Sequence, residues 1–214
     1  MIYVVGDSRK KFIKLDSIRS KFLVDAPHTG DNIDKLNKYF CELTGLYYLW
    51  QNDKDDIVGL EHYRRYLSID GRTPIKEPDI VKKLSQYDIL CCYVNYQYRP
   101  IKSYFLDRNF YDWMQRYIVF NELLYGKAYA SHCLQYMNGT KHVLGNIFIA
   151  NRQLLDEYAK YLFKTLITFM NAETWRGIAI RPRVMGYLSE FLFGAWLTWN
   201  KKHACGLKTL FTGN

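Results

Sequence analysis

Hydrophobic positions in the first half of the chain follow two different periods. "IYVVG" (residues 2–6) is a short, continuous apolar run closed by Gly6, the pattern of a buried strand. Between residues 28 and 53 the period lengthens. Leu36, Tyr39, Phe40, Leu43, Tyr47 and Trp50 recur at helical spacing and predict one amphipathic helix. Gly30, Asp31 and Asn32 just before it supply a tight turn and N-capping side chains, and "NDKDD" ends it. "IVGLEHYRRYL" (residues 57–67) then reads as a strand. Its first half is apolar on both faces and its second half polar on both, as when a strand runs from a core out into a site. Alternation along such a strand sends His62 and Arg64 to one face and Glu61 and Arg65 to the other.

The second half repeats these signals. "SIDGRTPIKEP" is a loop, "DIVKKLSQ" a short helix and "YDILCCYV" a buried strand. Residues 96–140 are aromatic and mixed, with helix expected around "NFYDWMQRYIVFNELL". "VLGNIFIAN" is a strand interrupted at Gly145-Asn146. A helix follows with Leu155, Tyr158, Leu162, Leu166 and Phe169 inward. A last helix starts near Pro182, with Met185, Leu188, Leu192, Ala195 and Trp199 on its apolar stripe. This order predicts an α/β fold with a mostly parallel sheet, helices on both sides, and ligands at the carboxyl ends of the strands. No repeat or linker divides residues 1–214, so one domain is expected.

Composition narrows the choice of partner. The formal charge of +9 and the 19 Tyr, 12 Phe and 5 Trp suit an anionic ligand held between half-buried aromatic walls. The five cysteines are odd in number and contain no C-x-x-C pair, and no H-x-x-x-H spacing occurs. Neither a disulfide framework nor a zinc site is expected, which points to a reducing compartment. There is no signal-peptide pattern, and no apolar run approaches the ~20 residues of a membrane span. The expected location is cytoplasmic, peripheral to a membrane at most.

Three groups of residues could carry chemistry. "GDNIDKLN" places Asp31 and Asn32 at a helix N-terminus, where backbone N–H groups attract phosphate, with Lys35 and Asn37 as further donors. An ordinary capped surface helix explains the same letters. "EHYRR" offers His62 and the forks of Arg64 and Arg65 to a phosphate, against the alternative of an edge strand defended by charge. Arg183 and Glu190 stand about two turns apart on the last helix, on a face roughly opposite its apolar stripe. A carboxylate steered by an arginine can serve as a general base. Asp112, among aromatics in "FYDWM", is the second candidate base. Both carboxylates could equally be solvated surface groups.

Together, "GDNIDKLNKYFCELTGLYYLWQN", "VGLEHYRRYL", "GNIFI" and "RPRVMGYLSEFLFGAWL" resemble a family of bacterial capsular and exopolysaccharide biosynthesis glycosyltransferases. The family pattern is approximately G-D-N-I-x-x-x-N, E-L-T-x-x-Y-W-x-W-x-N, G-L-x-H-Y-R-R-Y/F, then R-x-x-G-Y/F-x-x-E. The resemblance implies a single-domain α/β/α sandwich of the nucleotide-diphospho-sugar transferase (GT-A-like) type, with a Rossmann-like first half. Residues 1–95 would bind the nucleotide sugar and residues 96–214 would face the acceptor. It implies transfer of a sugar, galactofuranose or another hexose, from a UDP-linked donor to a glycan or lipid-linked glycan acceptor. Asp31, Asn32, Asn37, Glu42, His62, Arg64, Arg65 and Asn146 match its donor side, and Glu190 its late glutamate.

Two departures stand out. Related transferases usually end the central strand in D-x-D, which holds a divalent metal; here "EHYRR" takes that place, so no cofactor or metal is expected. The first strand also lacks the family's His-Lys pair. The basic, aromatic segment "WLTWNKKHACGLKTLF" is expected to rest on an anionic membrane surface. Nucleic acid is not an expected partner. The rival readings are a basic, aromatic RNA-binding protein and a catalytically inactive transferase homologue.

Overall fold

The computed structural model describes residues 1–95 and 99–213. Part of the mixed stretch beginning at residue 96 therefore lies outside the described residues. The first strand, β1 (Ile2–Gly6), pairs in parallel with β2 (Arg19–Leu23) and β3 (Ile57–His62). The long β6 (Lys141–Asn151) runs antiparallel to β3 on one side and to β5 (Ile89–Asn95) on the other. Beyond β5 lie the parallel β7 (Ala204–Phe211) and the antiparallel β4 (Arg65–Ser68). The order is thus β2-β1-β3-β6-β5-β7-β4, and β4 curls back to meet β3 through one pair, His62 with Arg65. Strands β3, β6, β5, β7 and β4 close a small barrel-like loop.

The mixed sheet corrects the expectation of a mostly parallel one. The coverage of its faces is corrected too. One face carries nearly all the helices: α2 (Leu43–Asn52), α4 (Ile101–Asp107), α5 (Tyr111–Tyr125), α6 (Lys127–Asn138), α7 (Arg152–Trp175) and α8 (Val184–Trp199). The other face holds a smaller core of Leu67, Leu90, Ile147, Ile149 and Leu207, capped by Ile80 and Leu84 of α3 (Glu77–Leu84). The barrel closure does there what a second helical layer would do in a sandwich, because the curled sheet buries its own inner side chains.

Two local departures from the predicted elements, and one interruption that was expected, shape the site. The first helix is broken. A 3-10 turn (Asp34–Leu36) and the short α1 (Asn37–Phe40) precede α2, with Cys41 between them at φ 52°. The strand over 57–67 is also broken, because the chain reverses at Tyr63-Arg64 and β4 returns antiparallel. In β6 the register shifts between the Cys91 and Tyr93 pairings, and Gly145 takes φ 64°. That interruption was legible as Gly145-Asn146, since a bulge needs a residue free to adopt positive φ.

The last two elements also differ from the pattern. Helix α8 is buried almost all round from Val184 to Leu197, so no polar face lies opposite a stripe; Trp199 is partly exposed. The segment expected on a membrane surface spans the end of α8, a turn and β7, which pairs with β5 and β4. Among the described residues, no helix is long and apolar enough to cross a membrane.

Candidate active site

Strands β1, β2, β3 and β5 end at one edge of the sheet, where β4 and β6 begin. A cavity of about 230 Å³ opens at this edge. Its wall includes Glu42, His62, Arg64, Arg65, Asn146, Arg183 and Glu190. Seven residues singled out in the sequence are thus brought together from four segments of the chain. A second cavity of about 360 Å³ shares Arg65, Tyr104, Arg108, Gly145 and Glu190 with the first.

The hairpin explains how both arginines reach the same site. On a continuous strand, alternation would separate them. The reversal after His62 puts Arg64 in the turn and Arg65 beside His62 as its cross-strand partner. The Arg64 backbone N–H donates to His62 Nδ1 at 3.4 Å, which leaves the proton on Nε2 as a donor. Burial, and then the charges of Arg65, Arg64 and Arg183, push the His62 pKa down to about 4. His62 is therefore a neutral hydrogen-bond donor at physiological pH. Arg64, Arg65, Arg108 and Arg183 form no ion pair within 4.0 Å among the described residues. Four guanidinium groups face this shared space without a directly paired carboxylate, although Glu42 and Glu190 stand in the same wall, and their excess of positive charge suits an anion.

Glu61, next to this cluster in sequence, has another job. Its carboxylate pairs with Arg19 Nε at 2.7 Å and accepts the Leu67 N–H at 2.8 Å, fully enclosed. It ties β2, β3 and β4 together and holds the hairpin.

Glu190 lies inside the fold rather than on a solvated face, and is 9 % exposed. Tyr104 Oη donates to its Oε2 at 3.1 Å. Burial, and then the nearby charge of Glu42, push its pKa up to about 7, against the Tyr104 bond, the Arg65 charge and the Gly145 N–H. A carboxylate divided between its two protonation states near neutrality is suited to general acid–base work. Arg183 sits at the N-cap of α8 in left-handed backbone, φ 68°, with its N–H on the Lys38 carbonyl at 2.9 Å. Non-glycine residues held there are uncommon and gather at functional sites.

The remaining candidates lie elsewhere. Asp112 is exposed on the first turn of α5 and lines neither cavity. The Gly30-Asp31-Asn32 turn lines neither cavity either. It is stapled to the end of α2: Asn52 Oδ1 accepts the Asp31 N–H at 3.2 Å and Asn52 Nδ2 donates to the Asp31 carbonyl at 2.8 Å. Gly30, at φ 86°, is needed because a Cβ would run into the Asn52 amide. Asn32 caps its own loop through the His28 and Gly30 carbonyls. Asn37 Nδ2 reaches the Val24 carbonyl at 3.2 Å, beside the end of β2, and Lys35 is exposed. Those residues build the scaffold of the edge, and the short 3-10 turn that follows is no long-helix terminus for phosphate.

Tyr104, Arg108 and Tyr187 were not singled out as candidate site residues. The Arg108 guanidinium stacks 3.6 Å over the Tyr104 ring, one helical turn along α4. The i,i+4 spacing of "YFLDR" is the sequence signal that could have found the pair. Among the described residues, no group of three His, Cys, Asp or Glu side chains could hold a metal.

Comparison with known proteins agrees with this architecture. No curated protein sequence matches the chain. Among solved structures, the chain is similar over its full length to the apo structure of WbbM, a bifunctional glycosyltransferase, with TM-score 0.77 and 21 % identity. It spans only 45 % of the length of that protein. Residues 4–202 match the model of a family described only as a domain of unknown function, DUF4422, and the chain belongs to that family.

Proposed function

We propose that this chain is a glycosyltransferase of GT-A-like architecture, one catalytic domain that moves a sugar from a nucleotide diphosphate to a glycan acceptor. The observation that carries the reading is the meeting of Glu190 with His62, Arg64 and Arg65 in one cavity at the sheet edge. The likeness to WbbM supplies the fold in which such a cavity would hold a nucleotide sugar. The resemblance of the central motifs to surface-polysaccharide enzymes supports a lipid-linked acceptor on the cytoplasmic side of a membrane.

In this reading the diphosphate lies against the β3–β4 turn. His62 donates from Nε2, and Arg64 and Arg65 offset the charge that grows on the leaving group. Glu190, ionised, takes the proton of the acceptor hydroxyl as its oxygen attacks the anomeric carbon. The C–O bond to the diphosphate breaks, and the nucleotide leaves as the diphosphate anion. The acceptor enters from the second cavity, since Glu190 lies in the wall common to both. Arginines replace a metal beneath the diphosphate.

A thermal-shift panel of UDP, GDP and CMP sugars, with and without chelator, tests this. Stabilisation by a UDP-linked hexose that survives chelation is expected. Stabilisation by single-stranded RNA alone would return the chain to the RNA-binding reading.

A further inference from the structure

We infer that Glu42, held by Asn146, is the residue that reads the hydroxyl groups of the transferred sugar, and that the donor is a neutral sugar with free hydroxyls on the side facing this pair. The inference rests on the transferase reading and concerns the sugar rather than the nucleotide.

Three carboxylates line the cavity at the sheet edge: Glu42, Glu61 and Glu190. Glu61 is consumed by Arg19 and by the Leu67 N–H. Glu190 is engaged by Tyr104 and is the group placed to move a proton. Glu42 alone remains. Asn146 Nδ2 donates to its Oε1 at 2.8 Å, which orients the carboxylate, and no bond among the described residues engages Oε2. The Asn146 amide must face this way, because an ionised carboxylate only accepts.

The backbone is arranged to put Glu42 there. The sequence from 36 to 50 has the periodicity of one continuous helix. The chain instead breaks at Cys41, φ 52° and ψ −127°, a strained conformation for a non-glycine residue. The break sets Glu42 at the start of α2 and into the cavity wall. Asn146 arrives from the other side, directly after the positive-φ Gly145 in β6. Two unusual backbone positions thus converge on one hydrogen bond between residues 104 apart in sequence.

The site's polarity then assigns the ligand. If the diphosphate occupies the arginine side and Glu190 meets the acceptor, the sugar ring lies between them, against Glu42. A fixed carboxylate accepts hydrogen bonds from hydroxyls and repels a carboxylate-bearing sugar. Hydrogen bonds to charged groups are strong enough to discriminate by roughly ten- to a hundredfold.

The test measures binding of UDP, UDP-galactopyranose, UDP-galactofuranose and UDP-glucuronate to wild type, Glu42→Gln and Asn146→Ala by calorimetry. Thermal melts of each variant confirm folding. Both variants are expected to bind UDP as wild type does and to bind the preferred neutral UDP-sugar at least tenfold more weakly. Glu42→Gln is expected to narrow the gap between neutral sugar and glucuronate. An equal loss for UDP and UDP-sugar, or no loss for either, would overturn the assignment while leaving the transferase reading standing. Absence of any UDP binding by wild type would overturn both.

Discussion

The Tyr104 hydroxyl lies 3.1 Å from the Glu190 carboxylate and donates to it across the wall that two cavities share. This bond favours the ionised form, while burial and the Glu42 charge favour the protonated one. The activity limb set by Glu190 is therefore expected near pH 7, with kcat/KM rising as the pH rises through it. Tyr104→Phe is expected to move the limb to higher pH and Glu42→Gln to lower pH. Glu190→Gln should lower kcat by roughly 10²–10⁴-fold and remove the limb. A pH profile of kcat/KM for the three variants checks these directions.

The same carboxylate carries a stability cost. Its folded pKa is raised from the ordinary 4.5 to about 7, so the folded state binds more protons between those values. Stability is full below pH 4.5 and is lost as pH rises through 7, by roughly 3 kcal/mol. Glu190→Gln, uncharged throughout, is expected to melt above wild type at pH 8 and alongside it at pH 5. Paired melting curves at the two pH values decide it.

His62 is expected to be silent in the neutral range. Its pKa, pushed down to about 4 by burial and by the neighbouring arginines, keeps the ring uncharged from pH 5.5 upward. Nitrogen chemical shifts of the ring should show the Nε2–H tautomer unchanged from pH 5.5 to 8. A titration centred near 6.5 would contradict the enclosure of the ring.

The buried pair of Arg19 and Glu61 should dominate the stability of the sheet edge. Arg19→Ala leaves an enclosed carboxylate without its partner, at an expected cost of about 3–5 kcal/mol. Arg65→Ala, which removes an unpaired surface of the cavity, should cost far less stability but weaken UDP binding. Denaturant unfolding alongside nucleotide titration separates the two arginines.

Arg183 spends conformational energy to hold its position. Its left-handed φ of 68° costs an ordinary residue about 1–2 kcal/mol, which glycine avoids. Arg183→Gly is expected to raise the melting temperature while weakening UDP binding at least tenfold. A variant that loses stability and keeps its affinity would contradict this.

Patterning along the chain determined most of the elements. The strands at 2–6 and 89–95 and the helix from Arg152 with its inward Leu155, Tyr158, Leu162, Leu166 and Phe169 follow from the apolar patterning alone. So do His62, Arg64, Arg65 and Glu190 as candidates for one site, through their motif resemblance. What periodicity could not show is where a period is deliberately broken. Nothing in "YFCELT" announces the Cys41 kink, and nothing in "EHYRRYL" separates a straight strand from a reversal at Tyr63-Arg64. Both breaks are stabilised by partners distant in sequence: Asn146 on Glu42, and Arg19 on Glu61 beneath the turn. Pairing across such separations depends on sheet order, and the order here depends on β4 and β7 curling to close the barrel. The residue types at this site were written in the sequence; their convergence, the enclosure that lifts Glu190 and the neutrality of His62 arise only when the tertiary structure removes them from water.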